Sequence, residues 1–201
     1  MLFRSHFAIS ADFSSCHANA VIAAKGLPVH CVDSRNLSSG IGLLVAEAVD
    51  MLEAGCEDPE AIVSHVKSLI DKVDTSFVID RLDYLYKGGR CSMVAMLGAN
   101  MLKLKPCIEV VGGKMIVGKK FRGQYARCLK QYVEDRVHSS EGIRPRRIFV
   151  THTGVDPQVV EKLKDYLRGL NHFQDVLEVR AGSTISSHCG DNTLGVLFIR
   201  E

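Results

Sequence analysis

Residues 6–79 alternate short β-rich runs with amphipathic helices, and this alternation restricts the possible folds more than any other feature of the chain. His6-Phe7-Ala8-Ile9-Ser10 reads as a short buried strand. Ser14 or Ser15 then caps a helix through Lys25, whose residues Ala18, Val21, Ile22 and Ala24 form one apolar face, and Gly26 closes it. Pro28-Val29-His30-Cys31-Val32-Asp33 is a second strand. Ser38 or Ser39 opens a helix carrying Leu43, Leu44, Ala46, Ala48, Met51 and Leu52, which ends at Gly55. Strands joined through helices lie parallel in one sheet, so the class is α/β. Asp58-Pro59-Glu60 sets an N-cap, a proline at the first helical position and an early carboxylate before Ile62, Val66 and Ile70, a helix expected to run to about Val73.

Thr75 to Ile79 is another strand, after which Leu82, Leu85 and Tyr86 lead into Lys87-Gly88-Gly89-Arg90. Met93 to Leu104 is an almost uncharged helix. Two β-rich runs, Pro106 to Val111 and Lys114 to Val117, flank Gly112-Gly113 and signal a hairpin. A helix from Gln124 to Val137 follows, then a strand Arg147 to Thr151, a helix opened by Asp156-Pro157 and ending near Gly169, and a strand Val176 to Val179. Thr193 to Ile199 is apolar enough for the centre of a sheet. The expectation is two α/β domains with mostly parallel sheets, residues 1–74 and 75–201, the second containing the β-hairpin.

Charge and cysteine usage remove several function classes. With 25 Lys+Arg against 23 Asp+Glu, a nucleic-acid surface would need a local concentration of basic residues. The two clusters, Lys119, Lys120, Arg122 and Arg144, Arg146, Arg147, lack the aromatic residues of a base-stacking platform and read as solvated surface, so no nucleic-acid partner is expected. Seven cysteines without a Cys-x-x-Cys pair argue against a disulfide framework and a thiolate metal site, and for a reducing cytoplasm. No run approaches the ~20 apolar residues of a membrane span.

Three segments carry polar chemistry. Ser10, Ser14 and Ser15 sit where a parallel strand ends and a helix begins, a place that favours an anion, although the same residues serve equally well as turn and cap. No Gly-x-Ser-x-Gly elbow is present, which disfavours a serine hydrolase. Lys87 to Ser92 is not a Walker loop; Arg90 offers a forked donor, or the two glycines simply stop a helix beside a surface arginine. Ser186 to Thr193 reads as a loop before the last strand, with His188 and Cys189 facing opposite ways, so a Cys–His nucleophile pair is not expected there. His152 follows a strand and His17 lies in the first helix, neither with a metal-ligand partner at helical spacing.

Taken in order, five strings resemble the DegV family of fatty-acid-binding proteins. They are Ile9-Ser10-x-x-Phe13-Ser14-Ser15; Val32-Asp33-Ser34-Arg35-Asn36-Leu37-Ser38-Ser39-Gly40-x-Gly42; Leu82-x-x-Leu85-x-Lys87-Gly88-Gly89-Arg90-x-Ser92; Lys103-x-Lys105-Pro106; and His188-x-Gly190-x-x-Thr193-Leu194-Gly195. The resemblance implies a two-domain protein that holds one long-chain fatty acid between its domains, needs no cofactor or metal, is not itself an enzyme, and presents the acyl carboxylate to a separate kinase subunit. At the matching positions it assigns the carboxylate to Ser10, Ser14, Arg122 and His188. Ser15, Arg90, Met93, Met96, Leu97 and Met101 fall to the acyl tunnel or to docking; Arg90 reads equally as structural, and for the helix of Met93 to Met101 ordinary core packing is at least an equal reading. An alkyl chain of about 14 methylenes supplies about 11 kcal/mol of transfer free energy, while a buried carboxylate must be paired.

The chain departs from the family pattern in four places. The family's opening Asp-Ser-Thr/Ser strand and its Thr-Ser-Gln-Pro-Ser-like turn have no counterpart, which is read as about eighty missing N-terminal residues and a truncated first domain. The sheet edge so exposed would invite homodimerisation. The family's Leu-Ser-Gly-Thr is Phe13-Ser14-Ser15-Cys16 here, and its Gly-Pro-Gly-Thr is Gly190-Asp191-Asn192-Thr193. Two other readings stay open: a phosphoryl- or acyl-transfer enzyme related to dihydroxyacetone-kinase-type domains, which needs Ser10 or Ser14 beside a base, and a fragment that binds nothing.

Overall fold

In the computed structural model, residues 4–89 and 104–201 are described, and contacts divide the chain into two units. The first comprises residues 1–73 with the turn 111–114; the second comprises 74–110 and 115–201.

In the first unit β1 (Arg4–Ala8) pairs in parallel with β2 (Val29–Asp33), in register from Arg4 opposite Val29 to Ala8 opposite Asp33. The crossover helix α1 (Cys16–Ala23) is shorter than the expected run to Lys25. None of its residues is buried, and Val21 and Ile22 are 49% and 73% exposed. The apolar spacing is present, but a two-stranded sheet offers too little surface to cover the whole face of a helix, so the expected buried face is not formed. By contrast, α2 (Ser39–Glu53) buries Leu43, Leu44 and Ala48, and α3 (Pro59–Leu69) buries Ile62, Val63, Val66 and Leu69, a spacing that keeps one stripe of the helix inward. The start of α3 follows its local signal: the Asp58 carboxylate accepts the Glu60 N–H at 3.0 Å, and Pro59 takes the first helical position. The helix stops at Leu69, and a 3-10 turn over Ile70–Lys72 delivers the chain into β3 (Val73–Val78), so Val73 is strand rather than helix.

After β3 come the short helix α4 (Asp83–Lys87), β4 (Leu104–Val111), β5 (Lys114–Arg122), α5 (Tyr125–Ser139), β6 (Ile143–His152), α6 (Pro157–Gly169), β7 (Asp175–Arg180), α7 (Ser183–Cys189) and β8 (Leu194–Arg200). Six strands form one sheet in the order β5-β4-β3-β8-β6-β7. The α/β class holds, but this sheet is mixed and not mostly parallel. β3 and β4 are antiparallel, as are β6 and β8, while β6 and β7 are parallel. The two-residue turn Gly112-Gly113 joins β4 and β5, both glycines at positive φ, as a tight hairpin requires. Strand–helix alternation therefore predicts a parallel neighbour where the topology inserts β8 between β3 and β6. Of the expected helix Met93 to Leu104, only Leu104 is described, and it is the first residue of β4; the remainder lies outside the described residues.

The core of the second unit forms where Leu129, Tyr132 and Val133 of α5 and Val160, Leu163 and Leu167 of α6 cover Ile148, Val150, Val196 and Phe198. Tyr132 ties three elements together: its hydroxyl donates to the Ser76 carbonyl at 2.7 Å and accepts the Val196 N–H at 3.0 Å. The six described cysteines are free thiols. Burial pushes the Cys107 and Cys189 thiols up to about 12. At pH 8 both stay protonated in the folded protein. Alkylation of the native protein followed by peptide mass mapping is expected to modify exposed Cys16 and to leave Cys107 and Cys189 untouched until denaturant is added.

Candidate functional site

The serine-bearing loop of the first unit is built from the ends of β1 and β2. Ser10, 1% exposed, has its N–H on the Asn36 carbonyl at 2.9 Å and donates its hydroxyl to the Gly113 carbonyl at 2.8 Å. The same oxygen accepts the Asp12 N–H at 3.3 Å. A hydroxyl has one proton, and that of Ser10 is already given to a backbone carbonyl. Ser14 is half-buried; its hydroxyl accepts the Cys16 N–H at 3.2 Å and donates only to the Cys16 sulfur, a weak acceptor, at 3.0 Å. Ser14 is therefore the serine whose proton is cheaper to redirect to an anion. Ser15 is exposed and stands at the N-cap of α1 without a side-chain cap bond.

Beside this loop lies a polar turn that belongs to one of the family strings but to whose residues the resemblance assigns no role in the site. Ser34 and Asn36 are buried and knit the turn together: Ser34 Oγ accepts the Asn36 N–H at 3.1 Å, and the Asn36 side-chain oxygen accepts the Leu37 N–H at 3.0 Å. Asp33 receives the N–H groups of Ala11 and Arg35, so one carboxylate joins the two loops. Arg35 and Ser38 both hold positive φ, 48° and 49°, without being glycine. Such backbone persists only where surrounding bonds enforce it and concentrates at sites. The available signal was the run of small polar residues directly after a strand.

In the second unit the structure brings together two segments a hundred residues apart. His188 does not sit in a loop as expected; it lies near the C-terminal end of α7, half-buried, with α7 packed on α4. Its imidazole lies directly on Gly88, and a Cβ at Gly88 would overlap His188 Nδ1 and stand 3.2 Å from Cε1. Gly88 has φ −72°, a conformation open to every residue, so its glycine is required by the imidazole and not by the backbone. Gly89 is the opposite case, at φ +63° with open space where a side chain would go. Gly190 answers from the other side, since a Cβ there would lie 2.8 Å from Cε2 of Tyr84. The Lys-Gly-Gly segment and the His188 segment thus interlock.

Arg122 ends β5 exposed, with no ion pair or hydrogen bond to its side chain among the described residues, whereas neighbouring Lys119 is paired with Asp135. Its guanidinium is free to meet an anion. Arg90, Met93, Met96, Leu97 and Met101 lie outside the described residues.

Three features have no part in this arrangement. His152 is 7% exposed; the Gly154 N–H donates to its Nδ1 at 3.3 Å, which places the ring proton on Nε2, 3.2 Å from Glu178. Hydrogen bonds from Lys164 and then His152 hold the Glu178 carboxyl below its usual range, so this is an ion network at the surface with His152 and Lys164 on its inner side. Cys189, buried beside His188 with its thiol pushed up to about 12, is no nucleophile at neutral pH. A depression of about 540 Å3 runs along β7 past Arg168, Phe173 and Gln174, and none of the candidate residues lines it. Among the described residues no group of His, Cys, Asp and Glu could hold a metal ion, and no helix is long and apolar enough to cross a membrane.

Comparison with known proteins covers nearly the whole chain. A fatty acid-binding protein of Thermotoga maritima is 29% identical over 93% of the chain and 65% of its own length. A DegV lipid binding protein of the same organism superposes with a TM-score of 0.82 at 25% identity, over 98% of this chain and 70% of that one. A DegV family protein of Thermus thermophilus, described for its fatty acid binding, gives 0.83 at 26% identity over 96% and 69%. The chain thus spans about two thirds of the length of such relatives. Those shares do not place the unmatched third at either end, so the expectation of about eighty missing N-terminal residues finds no support in them. Residues 6–201 match the model of a family of uncharacterised DegV proteins, and the chain belongs to the DegV family.

Proposed function

We propose that the protein binds a long-chain fatty acid and offers its carboxylate to a separate kinase. The observation that supports this best is the fold shared over 96% of the chain, at 26% identity, with a Thermus thermophilus protein described for fatty acid binding. The local chemistry agrees with it. Arg122 carries an uncommitted guanidinium, Ser14 a hydroxyl proton resting on sulfur, and His188 an imidazole held at a fixed place on Gly88. These three, with Ser10 if its bond to Gly113 is exchanged, are the proposed partners of the carboxylate. Charge-assisted donors of this kind set the orientation of the head group, and the alkyl tail supplies affinity. An enzyme reading gains nothing from the serines. Their protons are given to a carbonyl and to a thiol, so neither is prepared as a nucleophile beside a base.

Mass spectrometry of gently purified protein under native conditions is the test. The expected result is a mass increment matching one long-chain fatty acid, lost on delipidation and regained on loading. Protein that stays bare after loading with saturated and monounsaturated acids would overturn the reading. With an acyl-loaded sample, a fatty acid kinase and ATP, the acid oxygen attacks the γ-phosphorus and ADP departs, so hydroxylamine trapping of the acyl phosphate reads the delivery step.

A further inference from the structure

We propose that Thr153 is a positioning residue that fixes His188 against Gly88 and so sets the affinity for the acid head group, a role that rests on the fatty-acid reading above. The helix carrying His188 is short, and its last carbonyls have no helical partners. Two carbonyls at this end, those of Cys189 and the capping residue Gly190, are satisfied by hydroxyls from elsewhere. Thr193 Oγ1 donates to the Cys189 carbonyl at 3.0 Å, and Thr153 Oγ1 donates to the Gly190 carbonyl at 2.6 Å. The two threonines are in turn bound to each other: the Thr153 N–H donates to the Thr193 carbonyl at 3.0 Å, and the Thr193 N–H donates to Thr153 Oγ1 at 3.0 Å.

Thr153 and Thr193 are 6% and 5% exposed, so these bonds do not compete with water. Thr153 lies just past β6 and Thr193 just before β8, adjacent strands of the sheet. The Thr153 hydroxyl therefore both donates and accepts within one clamp, which ties the end of α7 to two strand ends. Contact between His188 and Gly88 is so close that a slight shift of α7 would either press the ring into the backbone or lift it away. Thr153 never has to touch the ligand for its loss to be felt there. Its neighbour His152, the more conspicuous residue by type, is committed to Glu178 and Gly154 and does not take part.

The experiment compares wild type, Thr153→Val, Thr153→Ser, His188→Ala and the Thr153→Val/His188→Ala double variant, each titrated with oleic acid and with its methyl ester. Valine keeps the shape and removes the hydroxyl, while serine keeps the hydroxyl. Thr153→Val is expected to weaken oleic acid roughly tenfold, as loss of one head-group hydrogen bond would, and to change the ester less than about twofold. Thr153→Ser is expected to restore acid binding, and Thr153→Val to add nothing once His188 is alanine. Equal losses for acid and ester, or a loss that persists in the His188→Ala background, would overturn the proposal. Wild-type protein that binds neither probe sinks the fatty-acid reading alone. The positioning is then read by NMR from the His188 ring resonances, which are expected to move in Thr153→Val and return in Thr153→Ser; unmoved resonances would sink it.

Discussion

Replacing Gly195 by alanine is expected to destabilise the protein by about 3 kcal/mol, the upper end of ordinary overpacking. Gly195 lies in β8, where a Cβ would overlap the carbonyl oxygen of Ser76 and stand 2.9 Å from the Cβ of Phe77. Both obstacles belong to β3, the neighbouring strand, and one of them is main chain. A backbone carbonyl cannot turn aside without breaking the ladder, so the strain has no inexpensive outlet. For a chain of this size the melting temperature is expected to fall by about 6–12 °C, measured by calorimetry or circular dichroism. A shift under about 2 °C would mean that the two strands separate more easily than their packing implies.

Gly88→Ala presents the same kind of overlap with the opposite outcome. The atoms a Cβ would overlap are those of an imidazole, which can rotate; the Tyr84 carbonyl oxygen stands off at 3.2 Å, and the backbone at Gly88 is already in a conformation that alanine prefers. Stability is expected to change by less than about 1 kcal/mol. His188, however, must leave its place. If His188 donates to the acid head group, the dissociation constant for a long-chain acid rises by roughly ten- to a hundredfold, the worth of a hydrogen bond to a charged group. Isothermal titration alongside a melting curve separates the two quantities. A variant that binds the acid normally would show that the imidazole position does not matter, and one that loses fold and binding together would return Gly88 to a purely structural role.

Much of the fold was legible wherever the signal is local. Asp58-Pro59 and Asp156-Pro157 announce α3 and α6 because the carboxylate, the proline and the first amide bond lie within three residues. Gly112-Gly113 announces the hairpin for the same reason. What was hidden depends on distant partners. Ser183 to Cys189 has no apolar periodicity, and the end of that helix is satisfied by hydroxyls at Thr153 and Thr193, so α7 reads as a loop. The apolar side of α1 is visible in its spacing, but spacing cannot say whether a surface lies opposite. In the candidate site, the segments of Ser10, Ser14 and His188 stood out by residue type and position, but their joint assignment to a carboxylate, and Arg122 altogether, came only through the family resemblance. That Gly88 exists to admit His188 became visible when both were placed in three dimensions.

The central place of β8 also bears on how the chain reaches this state. β3 spans Val73–Val78 and β6 ends at His152, yet the strand that lies between them is Leu194–Arg200. Until those late residues emerge from the ribosome, the facing sides of both strands have unmade hydrogen bonds and bare apolar side chains. Assembly of the six-stranded sheet must therefore wait for synthesis to pass residue 200, and closing so long a loop makes the step slow. During that interval the nascent second unit would be a natural client for a chaperone that shields open strand edges.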